Sequence, residues 1–108
     1  MSNDQALTDI LASVPGCVAT GWVDMTTGVL LGVQGADPAA TTAGLDRSHG
    51  VSAEHYFRDL AGPSQHTIHM FACRTRDQVL VVVTRVSANL RAVIARTRAV
   101  LYAVEAVS

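Results

Sequence analysis

The chain contains no lysine, and all eight of its basic residues are arginine. A phosphate-binding P-loop needs a lysine after its glycines, so the chain is not itself a P-loop GTPase or ATPase. Schiff-base chemistry on lysine is excluded for the same reason. The formal net charge is -1, which leaves no basic excess to neutralise phosphates. The composition therefore argues against a general nucleic-acid-binding protein.

Cysteines are also few. Cys17 and Cys73 lie far apart in apolar segments without a CxxC spacing, which favours buried, reduced thiols over a disulfide. The N-terminus lacks the basic and apolar regions of a signal peptide. The apolar run from Val79 to Val83 is far too short to span a bilayer. We therefore expect a cytoplasmic protein without membrane contact, folded as one domain over residues 1–108.

Helices are predicted at both ends of the chain. The first covers residues 3–14, because apolar residues recur there at helical spacing and Pro15-Gly16 then ends the run. The last follows Ser87, which can cap it. Its predicted buried stripe consists of Leu90, Val93, Ile94, Thr97, Leu101 and Val104.

Four strands are predicted, arranged as two hairpins. Residues 17–24 and 29–33 flank a loop in which Gly28 is free to adopt a positive φ. Residues 66–74 and 78–86 form the second pair. The last of these strands is apolar on both faces, so we expect it to be central and covered on both sides.

Between the hairpins, one helix over residues 38–60 is predicted, because Asp37-Pro38 is a good helix start. Glu54 and Arg58 form an i, i+4 pair in the favourable orientation. Arginine is a common interface anchor, so the outer arc of this helix is the candidate partner-binding surface. The alternative is an ordinary solvated helix face. The residues of this arc are Arg47, Val51, Glu54 and Arg58.

No catalytic, metal or cofactor site is predicted. His66 and His69 are three residues apart on a strand, so they point to opposite faces. The chain has no HExxH motif and no Cys/His pairing typical of zinc sites. It also lacks the GxSxG motif of a serine nucleophile. We expect His49 to be partly buried and the other histidines to lie on the surface or to face a partner.

Three segments of the chain, taken in order, carry a family resemblance. The first is Val14-Pro15-Gly16-Cys17-Val18, at the end of the opening helix. The second is the hairpin Trp22-Val23-Asp24-Met25-Thr26-Thr27-Gly28-Val29-Leu30-Leu31. The third is Leu80-Val81-Val82-Val83-Thr84-Arg85, followed by Ala88-Asn89-Leu90. Together they resemble the roadblock domain family, which includes the dynein light-chain roadblock and bacterial small-GTPase regulators, and the resemblance covers nearly the whole chain.

The resemblance implies an α+β, roadblock/profilin-like fold with an antiparallel sheet of four or five strands, in the order α-β-β-α-(β)-β-β-α. The first and last helices are expected on one face of the sheet and the middle helix on the other. The family dimerises and scaffolds Ras-like small GTPases without being enzymes in the usual sense. The resemblance therefore implies a homodimer, a small GTPase as partner and no cofactor.

The sequence departs from the family in two places. The middle segment is about one strand short, so either the third strand is missing or residues 54–60 form it. If it is missing, the strand over residues 66–74 becomes an edge, and Ile68, Met70 and Phe71 are the predicted dimer contacts. The second departure is Arg91, which stands where the family favours glycine.

Three functions are consistent with these features. The first is a non-catalytic, homodimeric regulator of a Ras-like GTPase in a bacterial signalling complex. The second is a structural adaptor whose partner does not respond to nucleotide. The third is a small-molecule sensor or weak enzyme with a pocket near Trp22 or Cys73.

Overall fold

The computed structural model describes residues 3–35, 54–59, 66–73, 75 and 77–106. These residues form two helices and five strands. In chain order the elements are α1 (Asn3–Ser13), β1 (Cys17–Asp24), β2 (Leu30–Gly35), β3 (Glu54–Asp59), β4 (His66–Ala72), β5 (Gln78–Arg85) and α2 (Leu90–Ala106).

The five strands form one antiparallel sheet in the order β2-β1-β5-β4-β3. Both predicted hairpins are present, β1 with β2 and β4 with β5. Strand β5 is central, and its residues Val79 to Thr84 are buried. This confirms the prediction from its apolar faces, because a strand covered on both sides needs no polar alternation.

Both helices lie on the same face of the sheet. Leu7 and Ile10 of α1 and Val93 and Leu101 of α2 join one core cluster, which also contains Trp22 of β1. The predicted stripe of α2 is largely confirmed, since Val93, Thr97, Leu101 and Val104 are buried. The two helices need this shared cluster, because short helices in proteins are stabilised mainly by packing of an apolar face.

The opposite face of the sheet is apolar as well. Its cluster contains residues of β1, β4 and β5, namely Ala19, Val23, Ile68, Met70, Val79, Val81 and Val83. The prediction that the middle helix covers this face concerns residues that lie largely outside those described.

Strand β3 corrects the prediction of a single helix over residues 38–60. Residues 54–59 pair with β4 in antiparallel register, from Glu54 opposite Phe71 to Asp59 opposite His66. The alternative, in which residues 54–60 form the third strand, agrees with the structure. Glu54 and Arg58 are therefore not an i, i+4 pair on a helix, although a spacing of four also places two residues on one face of a strand.

Strand β3 also corrects the predicted dimer edge. Because β4 lies between β5 and β3, it is an interior strand and not an edge. Ile68, Met70 and Phe71 are at most 2% exposed. Their apolar side chains belong to the core of the chain and are not available as an association surface.

Two local features fix the start of α2 and the end of β2. The Asn89 side chain accepts a hydrogen bond from the backbone N–H of Ala92 at 3.2 Å, so Asn89 caps α2 and the predicted cap, Ser87, does not. Gly35 ends β2 with φ +119°. A Cβ atom there would lie 2.5 Å from the carbonyl oxygen of Val18, so only glycine fits this position.

Candidate interaction surfaces

The predicted partner-binding residues divide between described and undescribed parts of the chain. Arg47 and Val51 lie outside the described residues. Glu54 and Arg58 lie on β3, opposite Phe71 and Thr67 of β4. Among the described strands β3 has a neighbour on one side only, so its outer backbone groups are unpaired within the sheet. The structure thus places two of the four candidates on a sheet edge.

The other edge of the sheet, β2, is apolar. The strand has the sequence LLGVQG and contains no charged residue. Leu31 and Val33 are 46% and 41% exposed, and Val29, just before the strand, is 54% exposed. This surface is not among those predicted from the sequence. The signal was present in the aliphatic residues at alternate positions 29, 31 and 33, but a single sequence does not show which strand lies at an edge.

A buried histidine lines a small cavity on the helix-covered face. His69 is 1% exposed, its Nε2 atom lies 3.2 Å from the Thr84 hydroxyl, and its ring stacks near Phe71. Burial lowers the pKa of His69 to about 4, so the ring is neutral at neutral pH. The expectation that this histidine lies on the surface or faces a partner is therefore wrong.

The cavity beside His69 measures about 30 Å³. It has room for about one water molecule, whereas small-molecule pockets are on the order of ten times larger. Its size therefore fits a hydration site better than a metabolite site. Its lining residues are Thr67, His69, Thr84, Val86, Ala88, Leu90 and Val93.

The residues considered for a sensor pocket are buried. Trp22 is 0% exposed and Cys73 is 7% exposed, and both belong to the core cluster beneath the helices. Cys17 is half-buried, and burial raises the pKa of its thiol to about 11. A thiol with this pKa is protonated at neutral pH and is a poor nucleophile.

Within the described part of the chain, no group of three or more His, Cys, Asp and Glu side chains is placed to hold a metal ion. Neither of the two described helices is long and apolar enough to cross a bilayer. The candidate interaction surfaces among these residues are the two sheet edges, β2 and β3.

The comparison with solved structures shows that the chain has the roadblock fold. At the level of sequence, no family model and no curated protein matches it. A Roadblock/LC7 domain from Streptomyces avermitilis superposes with a TM-score of 0.74 at 11% identity, covering 99% of this chain and 98% of that one. The sequence resemblance to the roadblock family is thus confirmed in the fold.

Two further solved structures with this fold are those of MglC and MglB. MglC from Myxococcus xanthus has a TM-score of 0.72 at 16% identity and covers 100% of both chains. The gliding protein MglB from Thermus thermophilus has a TM-score of 0.72 at 14% identity and covers 97% of this chain and 87% of that chain. An MglB structure with a tetrameric arrangement matches equally well, with a TM-score of 0.72.

Proposed function

We propose that this protein is a non-catalytic, homodimeric regulator that binds a Ras-like small GTPase in the cytoplasm. The observation that carries the proposal is the roadblock fold over nearly the whole chain, shared with MglB and MglC at 97% and 100% coverage of this chain. The roadblock family, which the sequence resembles in three segments, scaffolds such GTPases. The same resemblance implies that the module acts through its surfaces and not through a catalytic site.

The proposed dimer contact is the outer edge of β3. An edge strand presents unpaired N–H and C=O groups that a second strand can join. An antiparallel pair of β3 strands centred on Tyr56 places Glu54 of each copy opposite Arg58 of the other. Cross-strand pairs of opposite charge stabilise such a sheet, whereas like charges in that position oppose it. The sequence of β3 therefore fits self-pairing in this register.

Self-association has support from the solved structures with this fold, because one of them is MglB in a tetrameric arrangement. Arg47 and Val51, which lie outside the described residues, remain the proposed partner contacts.

The proposed partner suggests a nucleotide-dependent test. GTPase switch segments are ordered by the γ-phosphate and Mg²⁺ and relax after hydrolysis, so a regulator that reads them binds one nucleotide state. Immobilised protein is incubated with host lysate loaded with either a non-hydrolysable GTP analogue or GDP, and retained proteins are identified by mass spectrometry. Retention of a Ras-like GTPase in one state only is the expected result.

A variant sharpens this experiment. Arg47→Glu reverses one proposed contact without changing β3, so it should abolish GTPase retention while the dimer persists in sedimentation. Normal retention by this variant would exclude Arg47 as a contact. If no GTPase is retained in either nucleotide state and the same other proteins return each time, the protein is the nucleotide-independent adaptor instead.

A further inference from the structure

We propose that the β2 edge binds an extended peptide with aliphatic residues at alternate positions and basic residues between them. The peptide adds a sixth strand to the sheet beside β2. This inference does not depend on the proposed function, because β2 and β3 lie at opposite ends of the sheet.

The first argument is that the sequence of β2 lacks the residues that usually protect an edge strand. Natural edges are blunted by charged side chains, proline or cover from another element. The sequence of β2, LLGVQG, has no charge and no proline. In an antiparallel ladder about half of the backbone groups of an edge strand point away from its neighbour. Strand β2 therefore offers main-chain partners with nothing on its own sequence to repel a second strand.

The second argument is the side of the sheet on which the exposed aliphatic residues lie. Gly32 faces α1, because a Cβ atom there would lie 3.5 Å from a carboxylate oxygen of Asp4 and 3.5 Å from Leu7. Its neighbours Leu31 and Val33 therefore point to the opposite face. Opposite Val33 on β1 stands Gly21, which contributes no side chain. Leu31 and Val33 thus form an apolar strip that alternate aliphatic residues of an added strand can extend.

The third argument concerns charge. Asp4 lies over Gly32 on the α1 face of the edge, and Asp4 is exposed. A basic residue on the α1 side of an added strand comes close to this carboxylate. The edge thus favours a strand with two different sides: aliphatic residues next to Leu31 and Val33, and a cation next to Asp4.

The same carboxylate disfavours a second copy of β2 as the occupant. An antiparallel β2 pair centred on Gly32 brings the two Asp4 carboxylates towards each other at the dimer axis, where like charges repel. A separate peptide avoids this repulsion.

The test uses a defined probe, an N-acetylated and C-amidated peptide made of four Val-Arg repeats and labelled with a fluorophore. Fluorescence anisotropy measures its binding to the full-length protein. We expect saturable binding that weakens about tenfold or more in the variant Leu31→Lys/Val33→Lys, which places two cations on an exposed strip. Tyr102→Lys is the matched control, because Tyr102 is 54% exposed but lies on α2. The affinity of this variant for the probe should equal that of the wild type.

Two further experiments distinguish strand addition from nonspecific binding of the probe. N-methylation of alternate peptide nitrogens removes the donors of one side of the probe, so one methylated probe should lose binding and its register-shifted counterpart should keep it. Asp4→Asn should lower the affinity for the Val-Arg probe several-fold but leave the affinity for a neutral Val-Thr probe unchanged. Circular dichroism of each variant verifies that the fold is retained.

The opposite outcomes overturn the proposal. No binding up to about 1 mM probe excludes a useful peptide site. If Tyr102→Lys loses as much affinity as Leu31→Lys/Val33→Lys, the peptide binds elsewhere. If both methylated probes bind equally well, the peptide does not bind by strand addition. If Leu31→Lys/Val33→Lys instead abolishes assemblies larger than a dimer, a second copy occupies the edge.

Discussion

The two edges of the sheet differ in the chemistry of their strands. Strand β3 has the sequence EHYFRD, which combines acidic and basic residues, whereas β2 has the sequence LLGVQG and contains neither. Among the described strands each edge strand has a neighbour on one side only, so the backbone does not distinguish the two edges. The side chains do: the charges on β3 favour a register in which opposite charges match, whereas β2 favours a strand that is aliphatic on one side and basic on the other. A charged edge thus suits one specific partner, and an uncharged edge suits a class of peptides.

The largest effect is expected from a substitution that distorts one edge strand. Gly35→Ala should lower the free energy of unfolding by about 3 kcal/mol or more, because Gly35 has φ +119° and its Cβ would lie 2.6 Å from the Cα of Ala19. Urea denaturation measures the loss. The peptide probe should also lose affinity, since β2 can no longer lie flat against β1.

Gly28→Ala is the matched control for this substitution. Gly28 also has a positive φ, of +72°, but no atom lies within 4 Å of its Cβ position. Its cost should be about 1 kcal/mol of backbone strain alone. Equal losses in the two variants would mean that the close contact with β1 does not matter.

Acid should lower the free energy of unfolding of the whole sheet, because His69 lies on β4, the interior strand between β5 and β3. Burial lowers the pKa of His69 from 6.5 to about 4, so between these pH values the unfolded chain binds a proton that the folded chain does not. The contribution of His69 to the free energy of unfolding is therefore fully present above about pH 6.5. It falls as the pH drops, by about 2 kcal/mol at pH 5 and about 3 kcal/mol at pH 4. Well below the pKa of the folded protein this contribution stops changing.

The variant His69→Gln isolates this effect. Glutamine retains a group able to bond the Thr84 hydroxyl but does not titrate, whereas the carboxylates are the same in both proteins. The difference in stability between wild type and variant, from urea denaturation at each pH, should therefore change across pH 6.5 to 4. A constant difference would show that His69 titrates alike in the folded and unfolded chains.

At the other edge, a charge exchange on β3 tests whether matched charges set the register of the proposed dimer. Arg58→Glu should weaken the proposed dimer about thirtyfold, because each of the two symmetric Glu54–Arg58 pairs becomes a like-charge pair at a cost of about 1 kcal/mol. The double variant Glu54→Arg/Arg58→Glu should recover the affinity. Analytical ultracentrifugation measures the dimerisation constant, and failure of the double variant to recover would exclude the Tyr56-centred register.

The elements predicted correctly are those that local patterns define. The apolar stripes of α1 and α2 recur within a few residues, and β5 is marked by a run that is apolar on both faces. The sequence leaves residues 54–59 open between helix and strand, because a spacing of four residues places Glu54 and Arg58 on one face of either element. Only their pairing with β4, a contact with distant residues, decides between the two.

The surfaces were harder to predict than the elements. The edge prediction for Ile68, Met70 and Phe71 follows from placing residues 54–59 in a helix, which leaves β4 without an outer neighbour. In the structure β4 is interior, and His69 is enclosed with Thr84 on one face while Ile68 and Met70 fill the other. Burial of a polar residue depends on a partner from another strand, and sequence spacing does not reveal that partner. The apolar β2 edge was hidden for the same reason, because strand order is a property of the whole sheet.

A smaller change, distant from both edges, tests whether effects on the edges are specific. Asn89→Ala removes the cap of α2, whose side-chain oxygen accepts the Ala92 N–H at 3.2 Å, and should cost about 1 kcal/mol of stability in urea denaturation. Ser87→Ala should cost almost nothing, since Ser87 is exposed and outside the cap. Neither variant should alter dimerisation or peptide binding, because α2 covers a face of the sheet and not the outer backbone of either edge. If the loss of a helix cap changes either association, the edges are coupled through the helix layer, and the difference between them is not set by their own side chains.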